Sequence, residues 1–550
     1  MQNSRDGFQE IILMENTVVP MLIGITGHRD LVDPDIIYSK CKDLFISLQQ
    51  TYADTPLRVL SALAEGADQV CAEAALDSGA EVWTILPFEE GAYLKTFSSD
   101  AGREKYLSLK SRSSRIIEIG EDPASPEKYV ATGNYIVNHC TVLLAVWNGC
   151  PSDRRGGTYQ VMDFALHRHK YITGMLPANR VVVPVIHMFS ERKSQTSTFL
   201  LSEKPQAGEI SYGDSLEDMK KFDSEGVNAK FFRELFLPLN EFNQTACSRK
   251  KSMGIPELIE KEYGLTHWIE RYSKSSEMAG YFQSKYLRQM RILFYCGIGG
   301  GFCSQFYGGV DLNAWPFVHY FLIGYLLFWG GAFYYWLRSH EKYHEKYLEQ
   351  RLMTQILKTY IFMRLAGCEE TFWDKRAVQC CHNSRLSVSA IKYWSVLAED
   401  DKAVEAQEIK QTAGICVQEK WIKGQISYLS KKIKSGKKGY NNKKKWQYIS
   451  TVSAIIISSY FIIANLFDFS NDVHKFLMII NGFIVAVPLY TLAMVMIYYD
   501  QKNVEKTQKE FQNMYDNFVY IQQCFSTGEP ELLKRRIISL GDASIDETLS

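Results

Sequence analysis

The chain has 550 residues with 62 basic and 62 acidic side chains, so its formal net charge is zero. This length exceeds what one hydrophobic core supports and predicts two or three domains. A net charge of zero gives no support to nucleic-acid binding, for which a basic excess is typical. Charge is concentrated locally, because residues 430–446 contain eight lysines and no acidic side chain. That cluster favours contact with anionic lipid head groups over nucleic acid.

The 12 cysteines show no C-x-x-C spacing, and Cys380 and Cys381 are adjacent in the chain. They are interpreted as reduced thiols of a cytoplasmic protein, without a metal site. The first 20 residues include charged side chains and lack a long apolar core. No cleaved signal peptide is therefore expected.

Residues 18–188, which follow an N-terminal tail at 1–17, alternate apolar runs with helical patterns. Strands are predicted at 21–25, 57–63, 81–86, 115–119, 142–147 and 181–187. Helices are predicted between them, at 36–50, 67–77, 103–109, 129–138 and 159–167. Apolar strands joined by helices are typical of a Rossmann-like α/β domain with a doubly wound parallel sheet, which binds ligands at the carboxyl ends of its strands.

Polar and glycine-rich clusters follow four of the predicted strands, at the edge where such a sheet binds ligands. Small residues let a ligand approach the backbone, arginines pair with anions, and helix starts present free N–H groups to phosphate. The predicted ligand-binding residues are Thr26, Gly27, His28, Arg29, Ser61, Glu65, Gly66, Ala67, Asp68, Pro87, Asn148, Gly149, Arg154, Arg155, Gly156, Gly157 and Thr158.

Each cluster also has an ordinary structural interpretation. The triplet at 156–158 is commonly a strand-to-helix turn, and a histidine such as His28 more often bonds the backbone than takes part in catalysis. Asp68 could equally cap the helix that follows it, whereas Glu65 could hold ribose hydroxyls. The shared position of the clusters at one sheet edge favours a nucleotide-like ligand.

Long runs without a charged residue occur in the second half of the chain, at 292–310, 312–337, 446–467 and 476–499. Each is long enough for a bilayer crossing of about 20 residues, which predicts an all-α region with four transmembrane helices in two hairpins. The predicted two-span units cover 264–366 and 420–526. A connector at 189–263, a helical cytoplasmic connector at 367–419 and a C-terminal tail at 527–550 complete the chain.

The two hairpins share further features. Trp268-Ile269 and Trp421-Ile422 stand at similar distances before the first and third uncharged runs. This similarity suggests internal duplication of one two-span unit. Basic residues flank both hairpins, so the positive-inside rule predicts a multi-pass protein of the bacterial inner membrane with both termini and the α/β domain in the cytoplasm.

The N-terminal motifs resemble those of the SLOG superfamily, which is named for the Smf/DprA and LOG proteins. They are ITGHRD at 25–30, LSALAEGADQ at 60–69, LLAVWNG at 143–149 and GGT at 156–158. The resemblance implies a Rossmann-like domain that binds nucleotides or signals derived from them. The helical half resembles the SLATT family of two-span membrane effectors, through its predicted topology and flanking residues such as Trp421, Gln425 and Tyr428.

The resemblance also bears on whether this protein is an enzyme or a sensor. LOG enzymes hydrolyse nucleoside monophosphates with a glutamate three residues after the threonine of their glycine motif, and that position is Val161 here. Valine cannot transfer protons, so no catalytic residue is predicted. No metal and no cofactor are predicted either.

The function expected on these grounds is that of a homo-oligomeric membrane effector in bacterial antiphage defence. A nucleotide-derived second messenger, such as a cyclic oligonucleotide or an ADP-ribose-type signal, would bind the SLOG-like domain. The bound signal would trigger pore formation or disruption of the membrane, with no specific nucleic-acid partner. A membrane-anchored nucleotide hydrolase and a scaffold with a degenerate pocket remain the alternatives.

Overall fold

The computed structural model divides the chain into two compact units. Unit 1 comprises residues 1–250 and 369–403, and unit 2 comprises residues 251–368 and 404–550. The residues that the structure describes are 17–120, 127–167, 182–194, 205–245, 253–309, 319–338, 343–368, 372–373, 385–399, 407–466, 504–524 and 530–549.

Unit 1 is built on an eight-stranded sheet with the strand order β4-β3-β2-β1-β5-β6-β7-β8. The strands are β1 Met21–Gly27, β2 Leu57–Ser61, β3 Glu81–Leu86, β4 Arg115–Glu118, β5 Val142–Trp147, β6 Val185–Phe189, β7 Ile210–Gly213 and β8 Lys220–Lys221. Strands β1 to β6 pair in parallel, and β7 and β8 extend the sheet in antiparallel fashion. The predicted α/β parallel-sheet domain is therefore confirmed.

Helices connect these strands and cover both faces of the sheet. They are α1 Pro34–Thr51, α2 Ala67–Asp77, α3 Glu90–Leu94, α4 Asp100–Ser111, α5 Glu127–His139, α6 Thr158–Leu166 and, after β8, α7 Lys230–Gln244. Met21 and Ile23 point into a core shared with Phe45 of α1. Leu22 and Leu143, which point the other way, are also fully buried. Burial on both faces explains why the strands have continuous apolar sequences.

Helix α12, Arg385–Glu399, belongs to unit 1 although the chain on either side of it belongs to unit 2. Its Tyr393 ring stacks on Trp83 of β3 with ring centroids 6.1 Å apart. The Lys392 ammonium donates a 2.5 Å hydrogen bond to the carbonyl of Cys140, which lies between α5 and β5. The sequence predicted this segment as part of a helical connector at 367–419. Its packing on the sheet could not be predicted, because helical periodicity carries no information about tertiary contacts.

All the secondary-structure elements of unit 2 among the described residues are helices. Its α-helices are α8 Glu257–Glu262, α9 Thr266–Gly309, α10 His319–Arg338, α11 Tyr343–Leu365, α13 Gln407–Cys416, α14 Lys423–Leu466, α15 Val504–Cys524 and α16 Pro530–Leu549, with a π-helical turn at Val417–Ile422. Trp268 packs on Tyr360 of α11 with ring centroids 4.5 Å apart. Trp421 stacks on Phe362 of the same helix at 5.5 Å. Both buried tryptophans thus pack on α11, while the suggested duplication stays a prediction.

The membrane prediction is wrong for the helices that the structure describes, since none of them combines the length and the apolar character needed to cross a bilayer. This finding contradicts the predicted four-transmembrane region and the multi-pass location in the bacterial inner membrane. The predicted segment at 476–499 lies outside the described residues.

The error has a physical reason, because a run without charges is not necessarily apolar. The run at 292–310 contains a Gly299-Gly300-Gly301 triplet, and α10 carries tyrosines at 320, 325, 334 and 335. The run at 446–467 contains the serine pair Ser458-Ser459. Glycine, tyrosine and serine contribute much less to transfer into hydrocarbon than leucine or isoleucine do, so counting charges overestimated the apolar character of these segments.

Candidate functional site

A cleft of about 380 Å³ opens at the carboxyl ends of β1 and β5. The chain runs from β1 to β2 on one side of this point and returns to β5 on the other, so the cleft lies at the switch point where doubly wound sheets bind ligands. Its volume falls within the range of roughly 300–1,000 Å³ typical of small-molecule sites. Eleven of the predicted residues line it: Thr26, Gly27, His28, Arg29, Asp68, Pro87, Arg154, Arg155, Gly156, Gly157 and Thr158.

Four arginines give the cleft an excess of positive charge. Arg155 forms an ion pair with Glu127, and Arg192 is held by Asp30 at 2.8 Å. Within the described residues, no carboxylate lies within ion-pair distance of Arg29 or Arg154. Arg29 also faces the Asp68 carboxyl, so Arg154 is the guanidinium that remains to pair with an anionic group of a ligand.

The start of α6 adds backbone donors at the same end of the cleft. Gly157 is the N-cap, and the first helical hydrogen bond runs from Val161 N–H to the Gly157 carbonyl. The N–H groups of Thr158, Tyr159 and Gln160 consequently have no acceptor within the helix. Free N–H groups beside arginines form an arrangement suited to phosphate.

His28 and Asn148 join the two strands that frame the cleft. The Asn148 backbone N–H donates to His28 Nε2 at 3.1 Å, and Asn148 Oδ1 lies 3.1 Å from the same nitrogen. Burial lowers the pKa of His28 to about 4. His28 is therefore neutral at pH 7 and supplies no charge to a ligand, and Asn148 lies behind it rather than on the cleft wall.

The lowered pKa of His28 has a consequence for stability. Its ordinary pKa is 6.5, so between pH 6.5 and pH 4 the unfolded chain binds the proton that the folded protein excludes. The folded state must then lose stability as the pH falls, by roughly 3 kcal/mol in total for this group, of which roughly 2 kcal/mol is lost between pH 7.5 and pH 5. We expect His28→Gln to remove that loss, as measured by urea unfolding of both proteins at pH 7.5 and pH 5. Equal pH dependence in the two proteins would contradict the assignment of a buried neutral imidazole.

The residues that follow β2 are divided between the cleft and its supporting loop. Ala67 N–H donates to the His28 carbonyl at 2.9 Å, which ties the start of α2 to the loop after β1. Ser61 Oγ accepts from the Leu63 N–H at 3.1 Å and is fully buried. Ser61, Gly66 and Ala67 therefore shape the site from behind, as does Gly149 after β5, and none of the four is on the cleft wall.

Glu65 is engaged away from the cleft. Its carboxylate accepts hydrogen bonds of 2.7–3.1 Å from the backbone N–H groups and hydroxyls of Ser98 and Ser99, just before α4. Burial alone would raise the pKa of Glu65, but these hydrogen bonds hold it below its ordinary value. A carboxylate already accepting four hydrogen bonds is not positioned to hold ribose hydroxyls, the role that sequence analysis considered for it.

Asp68 is the carboxyl that does line the cleft. It is only 7% exposed, and burial raises its pKa to about 7 against the opposing effects of Arg29 and a backbone hydrogen bond at Ala64. Near neutral pH this group exchanges between its neutral and charged forms. Helix capping was the alternative role considered for Asp68, but Gly66 is the N-cap of this helix and no side chain caps it. The bond at Ala64 shows that Asp68 instead orders the loop after β2.

Aromatic side chains form much of the remaining wall, and the predicted set did not contain them. Tyr93 donates a hydrogen bond of 3.0 Å to the Ala62 carbonyl, and Trp147 stacks on Tyr159 with centroids 5.9 Å apart. The Arg29 guanidinium lies 5.9 Å from the Tyr129 ring centroid. Tyr93 follows Pro87 in the third loop cluster of the sequence, and Trp147 lies inside the motif at 143–149, so both could be associated with the site from the sequence. Tyr129 and Arg192 come from α5 and the loop after β6, where no sequence motif marked them.

Val161, at the position where the resemblance to LOG enzymes would place a glutamate, is buried and lines the cleft. Its Cγ2 atom would lie only 2.6 Å from a Cβ atom added to Gly133 of α5. The position is thus filled by an aliphatic side chain in close packing between α5 and α6. Among the described residues there is also no group of three or more His, Cys, Asp or Glu side chains that could hold a metal ion.

Comparisons with known proteins add little to this geometry. No family model matches the chain, and no curated protein matches it. Among solved structures, DNA processing protein A (DprA) from Streptococcus pneumoniae is a neighbour with 18% sequence identity, covering 24% of this chain and 42% of that chain with a TM-score of 0.18. The chain thus spans less than half the length of this neighbour, and so low a TM-score carries no conclusion about function. None of the comparisons bears on the resemblance to the SLATT family.

Proposed function

We propose that unit 1 binds a nucleotide-derived small molecule and acts as its sensor. The proposal rests on one observation: the Arg154 guanidinium, which has no ion-pair partner among the described residues, the N–H groups at the start of α6 and a set of aromatic rings share one cleft at the sheet's switch point. Arginines and helix N–H groups suit a phosphate, while the rings offer a stacking surface for a base. The role in antiphage defence that the SLOG resemblance implies stays a prediction.

Binding without turnover is the form of the proposal that Val161 favours, because an aliphatic side chain occupies the position of the LOG glutamate. One observation favours hydrolysis as a second candidate, since Asp68 lines the cleft with a pKa near 7 and could act as an acid. Chromatography of AMP, ADP-ribose and cyclic di-AMP after incubation with the full chain distinguishes the two. A released base or phosphate that disappears in Asp68→Asn would establish the enzyme.

The role of Arg154 provides a quantitative test of ligand binding. We expect Arg154→Ala to weaken the tightest-binding of these three compounds about tenfold in isothermal titration, which corresponds to the loss of one charge-assisted contact of about 1.4 kcal/mol. Arg112→Ala is the matched control, because Arg112 follows α4 and pairs with Asp77 at the far end of α2. Equal affinities in the two variants would contradict a phosphate site at the start of α6.

A further inference from the structure

The cleft has two chemically different ends. Arg154, Arg155 and the start of α6 make one end suited to an anion, and Asp68 at the start of α2 makes the other a site for hydrogen-bond donors. A ligand that fills both ends must carry an anionic group and, apart from it, hydroxyl or N–H donors. Ribonucleotides have this distribution, because their sugar hydroxyls and base amino groups stand apart from the phosphate.

We propose that Asp68 contacts the donor end of the ligand, and that ligand binding is coupled to release of a proton from this carboxyl. The proposal deepens the nucleotide-binding function proposed above and rests on it. Asp68 lies on the cleft wall, whereas the other carboxylate of the motif, Glu65, accepts four hydrogen bonds from Ser98 and Ser99. Of the two, Asp68 is the carboxyl residue that borders the cleft, with 7% of its surface exposed.

The surroundings of Asp68 determine the direction of the coupling. Arg29 faces it from the loop after β1, Tyr93 from α3, and Cys71 from its own helix. Tyr93 and Cys71 are neutral near pH 7, because burial raises the pKa of Tyr93, and a hydrogen bond with Cys41 together with burial raises that of Cys71. Arg29 is then the one charged neighbour of Asp68 among the described residues. In the absence of ligand, Arg29 favours the ionised form of the Asp68 carboxyl and burial favours its neutral form. Ligand donors add hydrogen bonds to the ionised carboxylate, which lowers its pKa and releases the proton.

Isothermal titration of the full chain, with the tightest-binding of AMP, ADP-ribose and cyclic di-AMP, tests the coupling in two buffers of different ionisation enthalpy at pH 7. Wild type should release part of a proton on binding, and its affinity should rise between pH 6 and pH 8. Asp68→Asn keeps the shape of the side chain and an oxygen for the bond at Ala64, and it should lose the part of both effects that the carboxyl contributes. Asp77→Asn, at the other end of α2, should behave as wild type and controls for the removal of one carboxylate. Any titration of the ligand's own phosphate is common to all three proteins and cancels in the comparison.

Each outcome has one meaning. Greater proton release in wild type and Asp77→Asn than in Asp68→Asn supports the proposal. Binding by wild type without proton release, or with release that Asp68→Asn retains in full, overturns it while leaving nucleotide binding intact. Absence of binding by wild type to all three compounds overturns the proposed function itself. If Asp68→Asn fails to bind, its unfolding by urea shows whether it is folded, and Asp68→Glu, which keeps the titrating group, must then restore proton release for the proposal to stand.

Discussion

Replacing Gly66 by alanine is expected to lower the free energy of unfolding by about 3 kcal/mol and to abolish ligand binding at the cleft. Gly66 is the N-cap of α2 and has φ +88° and ψ −125°, a conformation that residues with a side chain rarely adopt. A Cβ atom there would lie 2.4 Å from the Arg29 carbonyl oxygen and 2.5 Å from that of His28. Both are backbone atoms of the loop after β1, so relieving the clash must move the loop that presents Arg29.

Gly79→Ala, just beyond the opposite end of α2, is the matched control. Gly79 has φ +85°, but nothing lies within 4 Å of its added Cβ. The control should therefore lose only about 1 kcal/mol of unfolding free energy, the cost of placing a residue with a side chain at positive φ, and it should keep its affinity for the ligand. Urea unfolding and isothermal titration of both variants measure the difference. If the two glycine variants lose the same stability and both retain binding, the close approach of α2 to the loop after β1 is not what shapes the cleft.

Replacing Tyr393 by alanine is expected to destabilise unit 1 by about 3–4 kcal/mol. The Tyr393 ring is buried between Trp83 and the Arg58 guanidinium, which lies 5.2 Å from its centroid. Arg58 Nη1 also donates a 2.6 Å hydrogen bond to the Tyr393 hydroxyl. The substitution removes a stacked ring and leaves a largely buried guanidinium with Glu81 as its remaining acceptor among the described residues.

Tyr393→Phe separates these contributions, because it keeps the ring and removes only the hydroxyl. It should cost about 1–2 kcal/mol, the loss of one hydrogen bond to a charged group. Hydrogen exchange should show faster exchange in β2 and β3 for Tyr393→Ala, since both strands border the tyrosine. Faster exchange confined to the helices of unit 2 would show that α12 does not stabilise the sheet.

The strands of the parallel sheet could be predicted because each is a short apolar run followed by a polar turn. Val142–Trp147 and Glu81–Leu86 have their predicted bounds, and Met21–Gly27 runs two residues beyond its prediction. The antiparallel strands β7 and β8 were not predicted, because four and two residues are too few to show alternation. Helix α12 was predicted as helical without its partner, since its pairing with Trp83 crosses about 300 residues of sequence and has no local signal.

The candidate site shows the same division between local and long-range information. Glycines and arginines after strands could be assigned to the cleft, because strand ends converge at one edge of the sheet. The sequence does not distinguish the roles of Glu65 and Asp68, since both follow β2 within a few residues. Their roles differ because Ser98 and Ser99, more than 30 residues later, donate hydrogen bonds to the Glu65 carboxylate, whereas Asp68 stays on the cleft wall. The membrane prediction was wrong for a different reason, because it equated uncharged segments with apolar ones.

The central claim is that the cleft between β1 and β5 holds a phosphate-bearing small molecule. Hydrogen–deuterium exchange of the full chain, with and without saturating ADP-ribose, AMP or cyclic di-AMP, tests this claim most directly. At least one compound should slow exchange at residues 25–29 and 152–161, and Arg154→Ala should diminish the protection. Exchange that is unchanged in both segments with every compound, or protection confined to other parts of the chain, would contradict the claim.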